Sequence, residues 1–160
     1  MGSCSFVHVS LVAQDWARLA RFYEQAFGCT PVPPERALAG DWLEEATGVP
    51  GAQIHGMHLR LPGCGGHGPT LEIFQYGQEE ARWRTVPNRP GWAHIAFAVD
   101  DVQSARDAVL AAGGGAVGET VSTVIPGAGT ITFVYVTDLE GNMLELQHWS
   151  NSPGTGREHV

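Results

Sequence analysis

Hydrophobic and polar residues alternate along two short stretches of this chain. Residues 5–13 place apolar side chains on one face and His8 on the other, and residues 92–99 repeat this order with His94 in the equivalent place. A period of two is typical of a half-buried strand. In both copies an aspartate follows the histidine by seven residues and begins a 3.6-residue apolar pattern that a glycine ends. The chain is therefore predicted to contain an internal repeat.

Three further extended stretches follow in each half, separated by Gly-rich or Asp-Gly turns. The first half also inserts a short helix that begins at Asp41. Each half is predicted as a βαβββ module, and two four-stranded sheets can pair edge to edge. We therefore expect an α+β fold in which the modules form one curved mixed sheet around a cleft. The extended stretches are predicted at residues 29–32, 52–61 and 70–76, and at residues 116–124, 130–137 and 142–149.

The repeat also predicts the domain organisation. Residues 1–77 form the first module, and residues 91–149 form the second. The polar segment 78–90 is predicted to link them, and residues 150–160 to form a flexible tail. The linker is long enough for the modules to pair within one chain or across two chains.

The composition and charge of the chain argue against some classes of binding partner. The net charge of −8, with no basic cluster, argues against binding to nucleic acid or to an anionic membrane surface. No apolar stretch approaches the ~20 residues that a membrane-spanning helix needs. The three cysteines are scattered, as is typical of a reducing compartment. We therefore expect a cytoplasmic protein whose partner is a small-molecule substrate.

Strand parity predicts a metal site. In each module the last strand carries a glutamate between apolar residues that pack outward, so the glutamate and the histidine face the cleft. Two carboxylates in a semi-buried cleft would cost several kcal/mol if nothing compensated their charge. A divalent cation removes that cost and leaves positions open for water or substrate. A single strand histidine or glutamate is usually structural, but a set matched across a repeat favours metal binding. The predicted ligands are His8, Glu72, His94 and Glu145.

The same segments resemble the vicinal oxygen chelate superfamily over about residues 5–149. This superfamily includes glyoxalase I, methylmalonyl-CoA epimerase, extradiol dioxygenases, fosfomycin-resistance enzymes and bleomycin-binding proteins. The resemblance implies the paired-module fold and a bound Zn, Ni, Co, Mn or Fe ion, although one scaffold serves many reactions. The segments that carry it are His8-Val-Ser-Leu-Val-Ala-Gln-Asp15, Thr70-Leu-Glu72, Gly91-Trp-Ala-His94 and Asp138-Leu-Glu-Gly141-Asn-Met-Leu-Glu145.

The set of predicted metal ligands distinguishes among the members of the superfamily. A His-Glu-His-Glu set resembles glyoxalase I and is close to the epimerase, which both remove a proton next to a metal-held carbonyl. That resemblance implies Glu145 as the base, with Glu72 as the alternative. The arginine and asparagine with which glyoxalase I holds glutathione are Val12 and Tyr76 here, so glutathione is not expected. The epimerase has an additional base on the preceding strand, where His55 is a candidate if it faces the cleft.

These observations predict a metal-dependent lyase or isomerase that acts on a small, hydrophobic metabolite. The alternatives are an Fe(II)-dependent dioxygenase of the same fold and a metal-free protein that sequesters a small molecule. The presence of all four ligand residues favours an enzyme over the sequestering protein. Short edge strands and an open cleft favour a homodimer, and the sequence leaves open whether one chain or two chains build each metal site.

Overall fold

The computed structural model describes residues 4–150, and the chain divides into two compact units between Trp83 and Arg84. This division lies inside the segment 78–90 that the sequence predicts as a linker. Among the described residues, the segment between the two units contains neither helix nor strand. The predicted tail lies outside the described residues except for Ser150, which ends the last strand.

The first unit is a four-stranded mixed sheet with two helices. Its elements are β1 (His8–Val12), α1 (Trp16–Phe27), β2 (Thr30–Ala39), α2 (Asp41–Thr47), β3 (Gln53–Arg60) and β4 (Thr70–Tyr76). The strand order is β1-β4-β3-β2, with β1 parallel to β4 and the other pairs antiparallel. The strand predicted at residues 29–32 is longer than expected, because β2 continues through a register shift between Val32 and Arg36.

Helix α1 covers one face of this sheet, which we call the helix face. Its first turn is capped by Asp15, whose carboxylate accepts a hydrogen bond from the Arg18 N–H at 2.9 Å. It ends at Gly28, which has a φ of 66° and adopts the left-handed conformation that glycine tolerates best. The side chains buried between α1 and the sheet are Leu19, Phe22, Tyr23, Leu59, Leu71 and Ile73.

The opposite face of the first sheet, which we call the site face, is partly covered by α2. Leu43 of α2 forms a hydrophobic cluster with Ala52, Ile54 and Phe74. Ile54 and Phe74 alternate with the residues that pack on the helix face, so both lie on the site face. The short helix inserted at Asp41 therefore places an apolar wall beside the polar part of that face.

The second unit repeats this architecture with five strands. Its elements are β5 (Ile95–Ala98), α3 (Val102–Ala111), β6 (Gly115–Ala116), β7 (Val121–Ile125), β8 (Gly129–Thr137) and β9 (Met143–Ser150). Strand β5 is parallel to β9, and β8 is antiparallel to β9, β6 and β7. The single strand predicted at residues 116–124 is two strands, because residues 117–120 leave the ladder before pairing with β8 resumes. Strand β5 begins one residue after His94, later than predicted.

Helix α3 begins with a cap like that of α1. The carboxylate of Asp101 accepts a hydrogen bond from the Ser104 N–H at 2.6 Å, and this bond lowers the pKa of Asp101. The core of the unit lies under α3 and includes Val109, Val134 and Leu144, all essentially inaccessible to solvent. The predicted α+β class with two mixed sheets is therefore confirmed, and the pairing of the sheets across a cleft stays a prediction. No helix in residues 4–150 is long and apolar enough to cross a membrane.

Candidate metal centre

In the first unit, strand register brings His8 and Glu72 to the site face. Strand β1 runs parallel to β4 with His8 beside Thr70 and Ser10 beside Glu72, so these four residues share a face. The Nε2 atom of His8 lies 3.8 Å from a carboxylate oxygen of Glu72. The Glu72 side chain is only 16% exposed, whereas that of His8 is 40% exposed. The structure thus brings together the two ligands predicted in this module.

A third ligand-type side chain, His58, lies directly opposite Glu72. The antiparallel register of β3 and β4 pairs the two residues, and His58 Nε2 lies 2.9 Å from Glu72 Oε1. The rings of His8 and His58 meet edge to face, with centroids 5.4 Å apart. One donor atom from each of the three residues lies within 4.8 Å of the other two. His58 is not among the site residues that the sequence predicts.

The surroundings of His58 orient its ring and favour its neutral form. The Nδ1 atom lies 2.8 Å from the hydroxyl of Thr70, and the ring meets that of Phe74 edge to face. The pKa of His58 is lowered because burial, and then the Arg36 guanidinium, disfavour the imidazolium, although Glu72 acts in the opposite direction. A neutral imidazole is the form that binds metal ions.

In the second unit, the predicted ligands His94 and Glu145 are in direct contact. The Nε2 atom of His94 lies 2.8 Å from a carboxylate oxygen of Glu145. Glu145 is flanked by Ala96 on β5 and Tyr135 on β8. Tyr135 therefore occupies the place that His58 takes in the first unit, and its ring centroid lies 5.2 Å from that of His94. Burial and the nearby Glu145 raise the pKa of Tyr135, which favours a protonated hydroxyl.

The structure does not bring His55 to the predicted site. His55 pairs with Gln75 and lies three residues before His58, so the two histidines project from opposite faces of β3. On the helix face it lines a cavity of about 270 Å³ together with Trp16 of α1. The candidate base His55 therefore does not lie on the site face with His58 and Glu72, and the sequence left open which face it occupies. The reason is that β3 buries apolar residues on both faces, Leu59 under α1 and Ile54 near α2, so hydrophobicity did not identify the site face.

The donor set fits a divalent cation. Imidazole nitrogens and carboxylate oxygens are ligands for Zn, Ni, Co, Mn and Fe. Two donors that are each about 2.1 Å from a cation, at right angles, are about 3.0 Å apart. The closest nitrogen–oxygen separations, 2.9 Å at His58 and 2.8 Å at His94, are near this value. Whether the two units supply ligands to one cation stays a prediction.

Comparison with known proteins agrees with this fold. A sequence model of the Glyoxalase/Bleomycin resistance protein/Dioxygenase superfamily matches residues 5–146. The chain belongs to this superfamily. The resemblance to the vicinal oxygen chelate superfamily is thereby confirmed, without a distinction between the glyoxalase I and epimerase types. No curated protein matches this chain.

Several solved structures are similar to this chain along most of its length. A glyoxalase family protein from Bacillus cereus has 19% sequence identity and a TM-score of 0.70, over 91% of this chain and 93% of that protein. An integron cassette protein of Vibrio cholerae has 25% identity and a TM-score of 0.51, over 94% and 98% of the two chains. The fosfomycin resistance protein FosX of Listeria monocytogenes, crystallised with Mn(II) and a dihydroxypropylphosphonic acid, has 14% identity and a TM-score of 0.53, over 91% and 92%. These similarities support the fold.

Proposed function

We propose that this protein is a divalent-metal-dependent lyase or isomerase that removes a proton next to a carbonyl of a small, hydrophobic metabolite. The proposed ligands are His8 and Glu72 from the first module and His94 and Glu145 from the second. Bound there, the cation would polarise the carbonyl and stabilise the negative charge that develops when the proton leaves. Membership of a superfamily that includes metal-dependent enzymes supports this proposal.

The observation that carries the proposal is the matched pairing of an imidazole with a carboxylate in both units. The His8–Glu72 and His94–Glu145 pairs occupy equivalent places, since β1 is parallel to β4 as β5 is to β9, and His94 directly precedes β5. Both carboxylates are largely buried, 16% and 13% exposed. A buried carboxylate needs a compensating charge, and a cation supplies it.

We assign proton transfer to Glu145. Its carboxylate accepts the substrate proton at an oxygen, and the Tyr135 hydroxyl, kept protonated by its raised pKa, remains a hydrogen-bond donor nearby. In the first unit, Phe74 and the cluster around Leu43 supply an apolar wall beside Glu72. An apolar wall with few polar groups is typical of a pocket for a hydrophobic small molecule.

Metal content tests the first part of the proposal. Protein purified without a histidine tag should contain about one equivalent of Zn, Ni, Co, Mn or Fe by elemental analysis. Failing that, the stripped protein should take up about one equivalent when a metal is added. Less than about a tenth of an equivalent, with no uptake on addition, would rule out the metal site.

Solvent exchange tests the reaction type. With a carbonyl compound that binds the loaded protein, Glu145→Gln should abolish deuterium exchange at the carbon next to the carbonyl while most metal affinity remains. Glu119→Gln, at an exposed residue before β7, is the matched control and should exchange like the parent. Exchange that persists in Glu145→Gln would assign the base to Glu72 instead.

An Fe(II)-dependent dioxygenase is the second candidate function. The group of His8, His58 and Glu72 favours it, because two histidines and one carboxylate are the ligand set of many non-haem iron oxygenases. Oxygen consumption by the anaerobically purified, iron-loaded protein, with candidate aromatic substrates, distinguishes the two functions. A lyase or isomerase consumes no oxygen during turnover.

We also propose a homodimer, as is common in the superfamily. Mixing inactive His8→Ala and Glu145→Ala chains tests how the site is built, provided that the subunits exchange. A site shared between two chains would recover up to about half of the activity per heterodimer, because one of its two sites regains all four ligands. Sites built within one chain would recover none, and a monomer by light scattering would contradict the dimer.

A further inference from the structure

We propose that His58 is a third metal ligand of the first module, so that His8, His58 and Glu72 can hold a divalent cation by themselves. This inference rests on the proposed function in one respect, the assignment of His8 and Glu72 as ligands. It adds a residue outside the matched His-Glu pattern of the repeat. It also makes the two modules chemically unequal, because the equivalent residue of the second module is Tyr135.

Strand register places the three proposed ligands on one face of the sheet. His8, Glu72 and His58 lie on three adjacent strands, β1, β4 and β3, and all project from the site face. Glu72 is the central member, with one carboxylate oxygen 3.8 Å from His8 Nε2 and the other 2.9 Å from His58 Nε2. Both histidines therefore direct the same nitrogen toward one carboxylate.

The contact between His58 and Thr70 orients the His58 ring for metal binding. A metal-binding histidine almost always engages its other ring nitrogen with a second polar group, which sets the tautomer and the ring orientation. Here Nδ1 of His58 lies 2.8 Å from the hydroxyl of Thr70, a residue only 7% exposed. If Nδ1–H donates to this hydroxyl, the Nε2 lone pair faces the carboxylate of Glu72. Two hydrogen-bond acceptors that are 2.9 Å apart repel each other unless a cation binds both of them.

A hydrogen bond from His58 to Glu72 without a metal is the competing account. In that case the Thr70 hydroxyl donates to Nδ1, and Nε2–H donates to the carboxylate. This account explains the positions of His58 and Glu72. It leaves His8 unexplained, because 3.8 Å between its Nε2 and the carboxylate exceeds hydrogen-bond length. A shared cation accounts for all three residues.

Metal titration of stripped protein tests the ligand assignment. His58→Gln should weaken Co(II) binding by at least about 100-fold, because loss of an outer-shell partner already weakens metal binding by about 10- to 100-fold. Thr70→Val should weaken it by about 10-fold. His55→Gln, on the other face of the same strand, is the matched control and should bind like the parent. Equal binding by the His58 and His55 variants would overturn the proposal.

Two measurements keep the test valid if His58→Gln does not fold. X-ray absorption of the Co(II)-loaded His94→Ala/Glu145→Ala variant should show two imidazoles per cation, from His8 and His58, and one would contradict the proposal. His58→Cys should restore binding and add a thiolate-to-cobalt charge-transfer band, because a thiolate is itself a metal ligand. Restored binding without that band would also contradict it.

A double variant separates this inference from the proposed function. His94→Ala/Glu145→Ala should retain one equivalent of Co(II) through the first module, bound more weakly than in the parent. Adding His58→Gln to that double variant should abolish binding. If the double variant binds Co(II) as tightly as the parent, the four-ligand site of the proposed function is wrong and the His58 site remains. If it binds none, the first module does not hold a cation by itself, and the inference fails.

Discussion

Asp138 offers a strong test of how the second module is held together. It lies in the turn between β8 and β9, is only 1% exposed, and accepts hydrogen bonds from residues of the same turn. One carboxylate oxygen accepts from the backbone N–H groups of Glu140 at 3.0 Å and Asn142 at 2.8 Å. The other accepts from the Asn142 side-chain amide at 2.6 Å. We therefore expect Asp138→Ala to be strongly destabilising.

The magnitude follows from these three bonds. A hydrogen bond to a charged group contributes about 1.5 to 3 kcal/mol. We take about 1 to 1.5 kcal/mol each, below that range, because water can reach the turn residues once the carboxylate is gone. Asp138→Ala should therefore lower the free energy of unfolding by about 3 to 4.5 kcal/mol. Asp138→Asn should cost about 1 to 2 kcal/mol, since it keeps one acceptor oxygen but directs an NH₂ group at the Asn142 amide.

Urea unfolding followed by circular dichroism measures both variants, with thermal unfolding as a check. The midpoint temperature should fall by about 2 to 4 °C per kcal/mol, and therefore by about 6 to 18 °C for Asp138→Ala. A loss below about 1 kcal/mol would refute the assigned role of the carboxylate. Equal losses in the two variants would show that charge, and not the geometry of the accepted bonds, is what stabilises the turn.

Three other variants or conditions test the first module. Gly56→Ala should cost about 3 kcal/mol or more in urea unfolding, because its Cβ would overlap the Ile73 backbone carbonyl as well as the Phe74 ring. Gly66→Ala has open space and should be nearly neutral. Burial raises the pKa of the Cys29 thiol to about 11. Iodoacetamide at pH 8 should therefore label only the other two cysteines of the native protein, which are exposed. Labelling of all three cysteines would contradict the burial of Cys29. In metal-free protein, the lowered pKa of His58 means that the unfolded chain binds its proton more readily. Stability should therefore fall as the pH drops below 6.5, and His58→Gln should reduce this slope in pH-dependent urea titrations.

The sequence by itself determined the repeat, the module order and the superfamily. The alternation around His8 is strong because one face of the strand packs inward and the other does not, and the capping aspartates follow each strand. These signals come from residues that are close together in the sequence, so they can be recognised without knowledge of the fold. The same alternation around Glu72 predicted that it shares a face with His8, and the register of β1 and β4 agrees.

The tertiary structure decided which histidine of β3 reaches that face. Leu59 is buried under α1 and Ile54 in the cluster of α2, so this strand is apolar on both faces and its hydrophobicity does not distinguish them. The Gly-rich hairpin after β3 sets the register that pairs His58 with Glu72, and a shift of one residue would have brought the opposite face of the strand to the site. Register depends on the hydrogen-bonded partner strand and on the turn. Neither is visible in the pattern of a single strand, and for that reason the sequence left open which face His55 occupies and did not select His58.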